Sequence, residues 1–168
     1  MRVERLGAHH DLEQFSCGNK ALDTWLRSFA LQNQERNLSR TFVLVDDGDE
    51  VIGYYSLTMG GVKSEALPGK YRRGLPDYDI GMVLLGRLAV NGGHHGQGIG
   101  RDLMIDAIRS AAQAGAHVAA RFISVDPIDE AARAFYKKFG FKEVPGDSAG
   151  RMFLRLDAAM ALLDDDLH

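Results

Sequence analysis

Met82-Val83-Leu84-Leu85-Gly86-Arg87-Leu88-Ala89-Val90-Asn91-Gly92-Gly93-His94-His95-Gly96-Gln97-Gly98-Ile99-Gly100-Arg101-Asp102-Leu103-Met104 passes from a nearly unbroken apolar run, through a glycine-rich turn, into apolar residues at helical spacing. The run 82–90 reads as a central strand covered on both faces, with Gly86 as a candidate bulge. Leu103, Met104, Ala107, Ile108 and Ala111 place a helix after the turn, with a stop near Gly115. A glycine turn between strand and helix gathers main-chain N–H groups at the positive end of the helix dipole. Its glycines permit positive φ and close approach, so the turn suits phosphate. Gly96 and Gly98 begin a Gly-x-Gly-x-x-Gly pattern that Arg101 breaks, and no Gly-Lys-Ser/Thr follows, so a dinucleotide or nucleoside triphosphate fits poorly.

Working outward, Val118 to Val125 reads as the next strand, and Asp129 can cap a helix running through Phe139 and halted by Gly140. Phe141 to Val144 and Met152 to Leu156 are the last strands, followed by a helical turn. Upstream, Met1 to Leu6 is a short strand. Ala21, Leu22, Trp25, Leu26, Phe29 and Ala30 form the apolar stripe of a helix from about Lys20 to Gln34, read as core. Thr41 to Val45 and Val51 to Met59 form a hairpin across Asp46-Asp47-Gly48-Asp49. Gly60 to Asp79, with Pro68, Pro76 and four glycines, reads as a surface loop with room for one helical turn. Alternating strands and helices predict a mixed α/β fold with at least one parallel crossover.

With 168 residues and 45% hydrophobic content, one domain over 1–168 is expected. The sequence holds no apolar run long enough for a bilayer span and opens without the apolar core of a secretory signal, so a soluble, cytoplasmic protein with no membrane partner is expected. Cys17, the single cysteine, cannot form an internal disulfide and has no zinc-spaced companions, so no metal is assigned. It reads as a buried small residue. His94 and His95 read as solvated. The net charge of -3 argues mildly against polyanions, yet Lys63, Lys70, Arg72 and Arg73 gather centrally while Asp157, Asp164, Asp165 and Asp166 form an acidic tail over about 157–168.

His95 to Gly100 resembles the pyrophosphate loop of the GNAT N-acetyltransferases, Gln/Arg-x-x-Gly-x-Gly/Ala between a strand and a helix, with histidine in the first place. Ala132-Arg133-Ala134-Phe135-Tyr136-Lys137-Lys138-Phe139-Gly140-Phe141 is similar to that family's Ala-x-x-Phe-Tyr-x-x-x-Gly-Phe segment. Phe15-x-Cys17-Gly18-x-x-x-Leu22-Asp23-x-Trp25-Leu26, Gly53 to Leu57 and Leu85 to Val90 resemble the TacT-like GNAT toxins of bacterial toxin-antitoxin pairs. The resemblance implies a mixed, mostly antiparallel sheet with helices on both faces and acetyl-CoA in a splay beside strand 82–90. It implies contacts to the acyl donor from Leu88, Ala89, Val90, His95, Gly96, Gln97, Gly98, Ile99, Gly100, Arg101 and Phe135. The Val90 amide would receive the thioester oxygen and Tyr136 would be the general acid. It further implies an aminoacyl-tRNA acceptor and a ribbon-helix-helix antitoxin, with monomer or homodimer left open.

Residue chemistry adds its own constraint. A phenol with a reference pKa of about 10 is protonated at neutral pH and can give its proton to a departing thiolate. Strand 82–90 holds no Asp, Glu or His, so it offers no base for a lysine amine, pKa about 10.4. An α-amine near about 7.7 is partly neutral already. Asp126 or Glu130, acting through water, is the alternative source of a base. Arg87 is the first candidate for phosphate contact, with ion pairing as its other reading, followed by Lys63, Lys70, Arg72, Arg73, Arg36 and Arg40. Two other functions stay open at this point: acetylation of a small amine, polyamine or protein N-terminus, and a non-catalytic acyl-CoA-binding module.

Overall fold

The computed structural model describes residues 1–144 and 150–165, so Asp166 and the end of the acidic tail lie outside the described residues. Its strands are β1 Arg2–Arg5, β2 Arg40–Val45, β3 Val51–Lys63, β4 Asp79–Val90, β5 Phe122–Val125, β6 Lys142–Glu143 and β7 Met152–Arg155. The helices are α1 Lys20–Ser28, α2 Ala30–Glu35, α3 Gly69–Arg72, α4 Ile99–His117, α5 Glu130–Lys138 and α6 Leu156–Asp165. One sheet runs in the order β1-β2-β3-β4-β5-β7-β6. The β4–β5 pair is parallel, whereas β1–β2, β2–β3, β5–β7 and β6–β7 are antiparallel. The mixed, mostly antiparallel sheet is the expected one. Among the described residues no helix is long and apolar enough to cross a membrane.

Two compact units make up the chain, Met1–Thr58 with Gly86–Ala107, and Met59–Leu85 with the described residues from Ile108 onward. The first is built on Leu6, Phe15, Leu26, Val43, Val51, Tyr54 and Ala89, with Leu22 and Trp25 packed against them. In the second, Leu67, Ile80, Met82, Phe122, Val144 and Phe153 form the core.

Several boundaries depart from the sequence reading for identifiable reasons. The helix expected over 20–34 is two helices, broken at Phe29 (φ -125, ψ -29). The break turns Ala30 into the core and leaves Phe29 50% exposed, so Phe29 is not the core residue its spacing predicts. α4 runs past Gly115 to His117. A Cβ at Gly115 would sit 3.2 Å from the Ala120 carbonyl, so this glycine serves close packing rather than helix termination. β5 starts only at Phe122, and Val118 is exposed. β3 continues through Gly60 and Gly61 to Lys63, β4 begins at Asp79, and the connection between them holds a 3-10 turn and α3. The last strands are shorter than expected, and the start of the predicted tail is helical, with Leu156, Ala159 and Leu163 of α6 buried.

Asp129 caps α5 as its sequence position predicts, its carboxylate accepting from the Ala132 amide at 2.8 Å. Asp129→Ala is expected to lower unfolding free energy by about 1 kcal/mol, the usual cost of losing such a cap, read as a shift in denaturant midpoint with unchanged slope.

Candidate active site

β4 ends at Val90, and the turn after it is held firmly. The Asn91 amide donates to the Ile52 carbonyl at 2.9 Å and the Gly92 amide to the Ser16 carbonyl at 2.8 Å. Ser16 donates back to the Asn91 side chain at 3.1 Å. A 3-10 turn over Gly92–His94 follows, and then Gly96 and Gly98 take φ of 77 and 79. Nothing would crowd a Cβ at either position, so it is the left-handed backbone that calls for glycine here. Directly behind them begins α4, a helix of 19 residues. The Asp102 amide donates to the Gly98 carbonyl at 3.1 Å, whereas helix geometry supplies no intrahelical carbonyl to the amides that precede it, and the dipole places roughly half a positive charge at that end. Buried Ile99 anchors the start of the helix while Gly96, Gln97 and Gly98 are exposed. The turn therefore suits an anionic group such as a phosphate.

His95 does not aim at that cradle. Its Nε2 lies 2.7 Å from the Val90 carbonyl, a geometry in which Nε2–H donates. The ring ties the loop back to the end of β4, so it is bonded rather than merely solvated. The His95 amide is engaged as well, donating to the Gly92 carbonyl at 3.4 Å, which corrects its expected contact to the acyl donor.

Tyr136 sits in the last turn of α5, only 8% exposed, with the rings of Phe135 and Phe141 at 5.5 and 5.6 Å. Burial pushes its phenol up to about 12, and the carboxylates of Asp126 and Asp129 push the same way. Among the described residues none accepts a hydrogen bond from its hydroxyl. The group is thus a protonated, unengaged donor.

The carboxylates named as alternative bases are differently placed. Asp126 is gripped by Arg151 through two bonds, Nε to Oδ1 at 2.8 Å and Nη2 to Oδ2 at 3.1 Å. Both carboxylate oxygens of Asp126 are therefore engaged by one guanidinium. Glu130 is almost fully exposed and lies 3.7 Å from Arg133.

Of the basic candidates, Lys63, Lys70, Arg72 and Arg73 are exposed in the second unit, the last three on α3 and its C-terminal cap. Arg36 is exposed in the first unit. Arg40 is already used: its guanidinium donates to the Gln34 carbonyl at 3.2 Å and to the Asn37 side chain at 2.6 Å, closing the loop between α2 and β2. Arg87 forms no ion pair with any described residue and stacks on Trp25, with Cζ 4.0 Å from the ring centroid.

Two groupings escaped the sequence reading. Trp25 also stacks on Tyr54, with ring centroids 6.2 Å apart and planes at 13°. Trp25, Tyr54 and Arg87 belong to three separate elements, so no local spacing signals them. Glu4, His9 and His10 also converge, but His10 spends Nε2 on Glu4 at 2.7 Å and Nδ1 on the Gly7 amide at 2.9 Å, which locks the turn after β1. Cys17 is partly buried rather than buried as expected, and burial above all, then Asp23, pushes its thiol up to about 11, leaving it protonated.

Comparison with known proteins extends this geometry. The family model described as acetyltransferase (GNAT) matches residues 8–141. A protein of Mycobacterium tuberculosis named tRNA-acetylating toxin is 40% identical over 161 residues, covering 96% of this chain and 95% of the relative. The structure of AtaT complexed with acetyl-methionyl-tRNAfMet superposes with a TM-score of 0.89 at 29% identity, covering 96% of this chain and 98% of that one. A tyrosine-to-phenylalanine mutant of AtaT, bound to acetyl-CoA and the C-terminus of the antitoxin AtaR, gives a TM-score of 0.83 at 26% identity over 96% of this chain and 97% of that one.

Proposed function

The chain belongs to the GNAT acetyltransferase family, and from that premise we propose that it is a single-domain toxin that moves acetyl from acetyl-CoA to the α-amine of aminoacyl-tRNA. The observation that carries this reading is the 40% identity, over nearly the whole chain, to a tRNA-acetylating toxin. Its site of action is the cytoplasm, where charged tRNA is found, and its partner is a ribbon-helix-helix antitoxin.

The chain's own residues divide the work. Main-chain amides from Gly96 to Arg101 hold the pyrophosphate, and Leu88, Ala89, Val90 and Phe135 flank the arm that carries the thioester. The Val90 amide receives the charge that builds on the carbonyl oxygen. The lone pair of the neutral α-amine attacks the thioester carbon, a C–N bond forms and the C–S bond breaks. Tyr136 gives its proton to the departing sulfur, and the proton lost by the amine passes to solvent. No carboxylate on 82–90 is required, because an α-amine is partly neutral at physiological pH. Lys63, Lys70, Arg72, Arg73 and Arg36 supply phosphate contacts, and Arg87 joins them.

The test is direct. Incubation with acetyl-CoA and charged tRNA is expected to yield N-acetyl-aminoacyl-tRNA; aminoacyl groups left unmodified at high enzyme concentration would reject the reading. The pH profile is a second check. The phenol is raised, so its acid function disappears only as pH climbs through about 12. On a charged tRNA with an amide in place of the labile ester, kcat/KM is expected to rise through about pH 7.7 as the amine loses its proton, with no descending limb by about pH 10. A fall centred between about pH 8 and 9 would assign the acid to another group.

A further inference from the structure

Arg87 lies on β4 three residues before Val90, on the strand face it shares with buried Ala89. Its guanidinium is half-buried, desolvation lowers its proton affinity, and no described carboxylate forms an ion pair with it. What holds it is the Trp25 ring at 4.0 Å, itself backed on Tyr54. The Tyr54 hydroxyl in turn donates to the Leu22 carbonyl at 2.8 Å, one turn before Trp25 on α1, and Tyr54 is fully buried. Backbone of α1, Tyr54, Trp25 and Arg87 therefore form a chain in which each member fixes the plane of the next. Burying a cation without a counter-charge costs free energy, and stacking returns only about 0.5–2 kcal/mol of it. An arrangement that spends stability to hold a planar five-donor fork in place is preorganised for an anion that arrives from outside.

We propose that the Tyr54–Trp25–Arg87 stack is a clamp for the phosphate of the terminal, aminoacylated nucleotide, with Arg87 as its ligand and Trp25 as its positioning residue. This deepens the aminoacyl-tRNA reading and rests on it. Three strand residues separate Arg87 from Val90 by about 10 Å. The covalent path from an α-amine through ester and ribose to the phosphate of the same nucleotide has similar reach. An amine at the thioester thus brings that phosphate to Arg87. Trp25, assigned to the core by its spacing, then works through the orientation of Arg87.

The full chain is assayed for acetylation of charged tRNA at varied salt, with KM and kcat resolved. Arg87→Gln is expected to raise KM by about 10- to 100-fold, the range of one charge-assisted contact, with a far smaller change in kcat. It should also flatten the log–log salt dependence of kcat/KM by about 0.7, the release expected for one phosphate of a single-stranded end. Arg87→Lys keeps the charge and the salt slope but recovers only part of the affinity, because an ammonium lacks the fork. Trp25→Leu is expected to raise KM several-fold with the salt slope intact, and Trp25→Phe to restore most of the loss. If Arg87→Gln folds poorly, the Arg87→Lys and Trp25 variants carry the same comparison. Should they keep wild-type KM and salt slope and lose only thermal stability, the stack is a packing feature and the clamp is overturned. If wild-type protein leaves charged tRNA untouched, the acceptor reading itself fails and the clamp falls with it.

Discussion

Tyr136→Phe is expected to lower kcat by about 100- to 10,000-fold, the contribution of a well-placed general acid. Its fold should survive. The phenylalanine ring keeps the contacts to Phe135 and Phe141, and the deleted hydroxyl is bonded to no other described residue, so its removal leaves no orphaned partner. Acetyl-CoA affinity, measured by calorimetry, should change little, because the proposed cradle for the pyrophosphate is main chain from 96 to 101. Single-turnover acetylation of charged tRNA separates the chemical step from product release. A variant that retains the wild-type rate in that assay would strip Tyr136 of its acid role while leaving the coenzyme cradle unaffected.

The second large effect is expected at Gly98, whose φ of 79 lies where L side chains are strained. Gly98→Val forces a β-branched residue either to carry about 1–2 kcal/mol or more of strain or to flip the local backbone. A flip turns an amide away from the ligand at the mouth of α4. The dissociation constant for acetyl-CoA should rise by about 100-fold, the loss of one or two charge-assisted hydrogen bonds. Gly93→Ala is the control: no positive φ is recorded there and a Cβ would meet nothing within 4 Å, so affinity should stay near wild type. Calorimetry alongside thermal melting distinguishes a damaged cradle from an unfolded chain. Wild-type affinity in folded Gly98→Val would mean that the pyrophosphate is held elsewhere.

Much of the fold was legible because its signals are short-range. The apolar run to Val90, the hairpin around Asp46 to Asp49, the cap at Asp129 and the stop at Gly140 each depend on residues within a turn or two of one another. Hydrogen bonding and periodicity at that range are written in consecutive positions. The glycine loop was legible for the same reason: a residue without a Cβ permits the positive φ that Gly96 and Gly98 take, and glycines clustered between a strand and a helix are visible in consecutive positions.

Other features depended on which elements meet. Gly115 looked like a helix stop because glycine often is one, but the Ala120 carbonyl at 3.2 Å explains its presence differently. Phe29 fitted the stripe of one long helix until the break before Ala30 turned it outward. Asp126 and Arg151 stand 25 residues apart in sequence, and only the fold makes them a bidentate pair.

The sequence by itself determined the strand, the glycine turn and the helix that follows it, and the tyrosine in its flanking motif. Tertiary structure alone decided that His95 turns back to Val90, that Arg40 bonds within its own loop, and that Arg87 stacks on Trp25. The difference is physical. Backbone geometry is set by each residue and its near neighbours, whereas the partner of a side chain is whatever the packing of distant elements brings within a few ångströms.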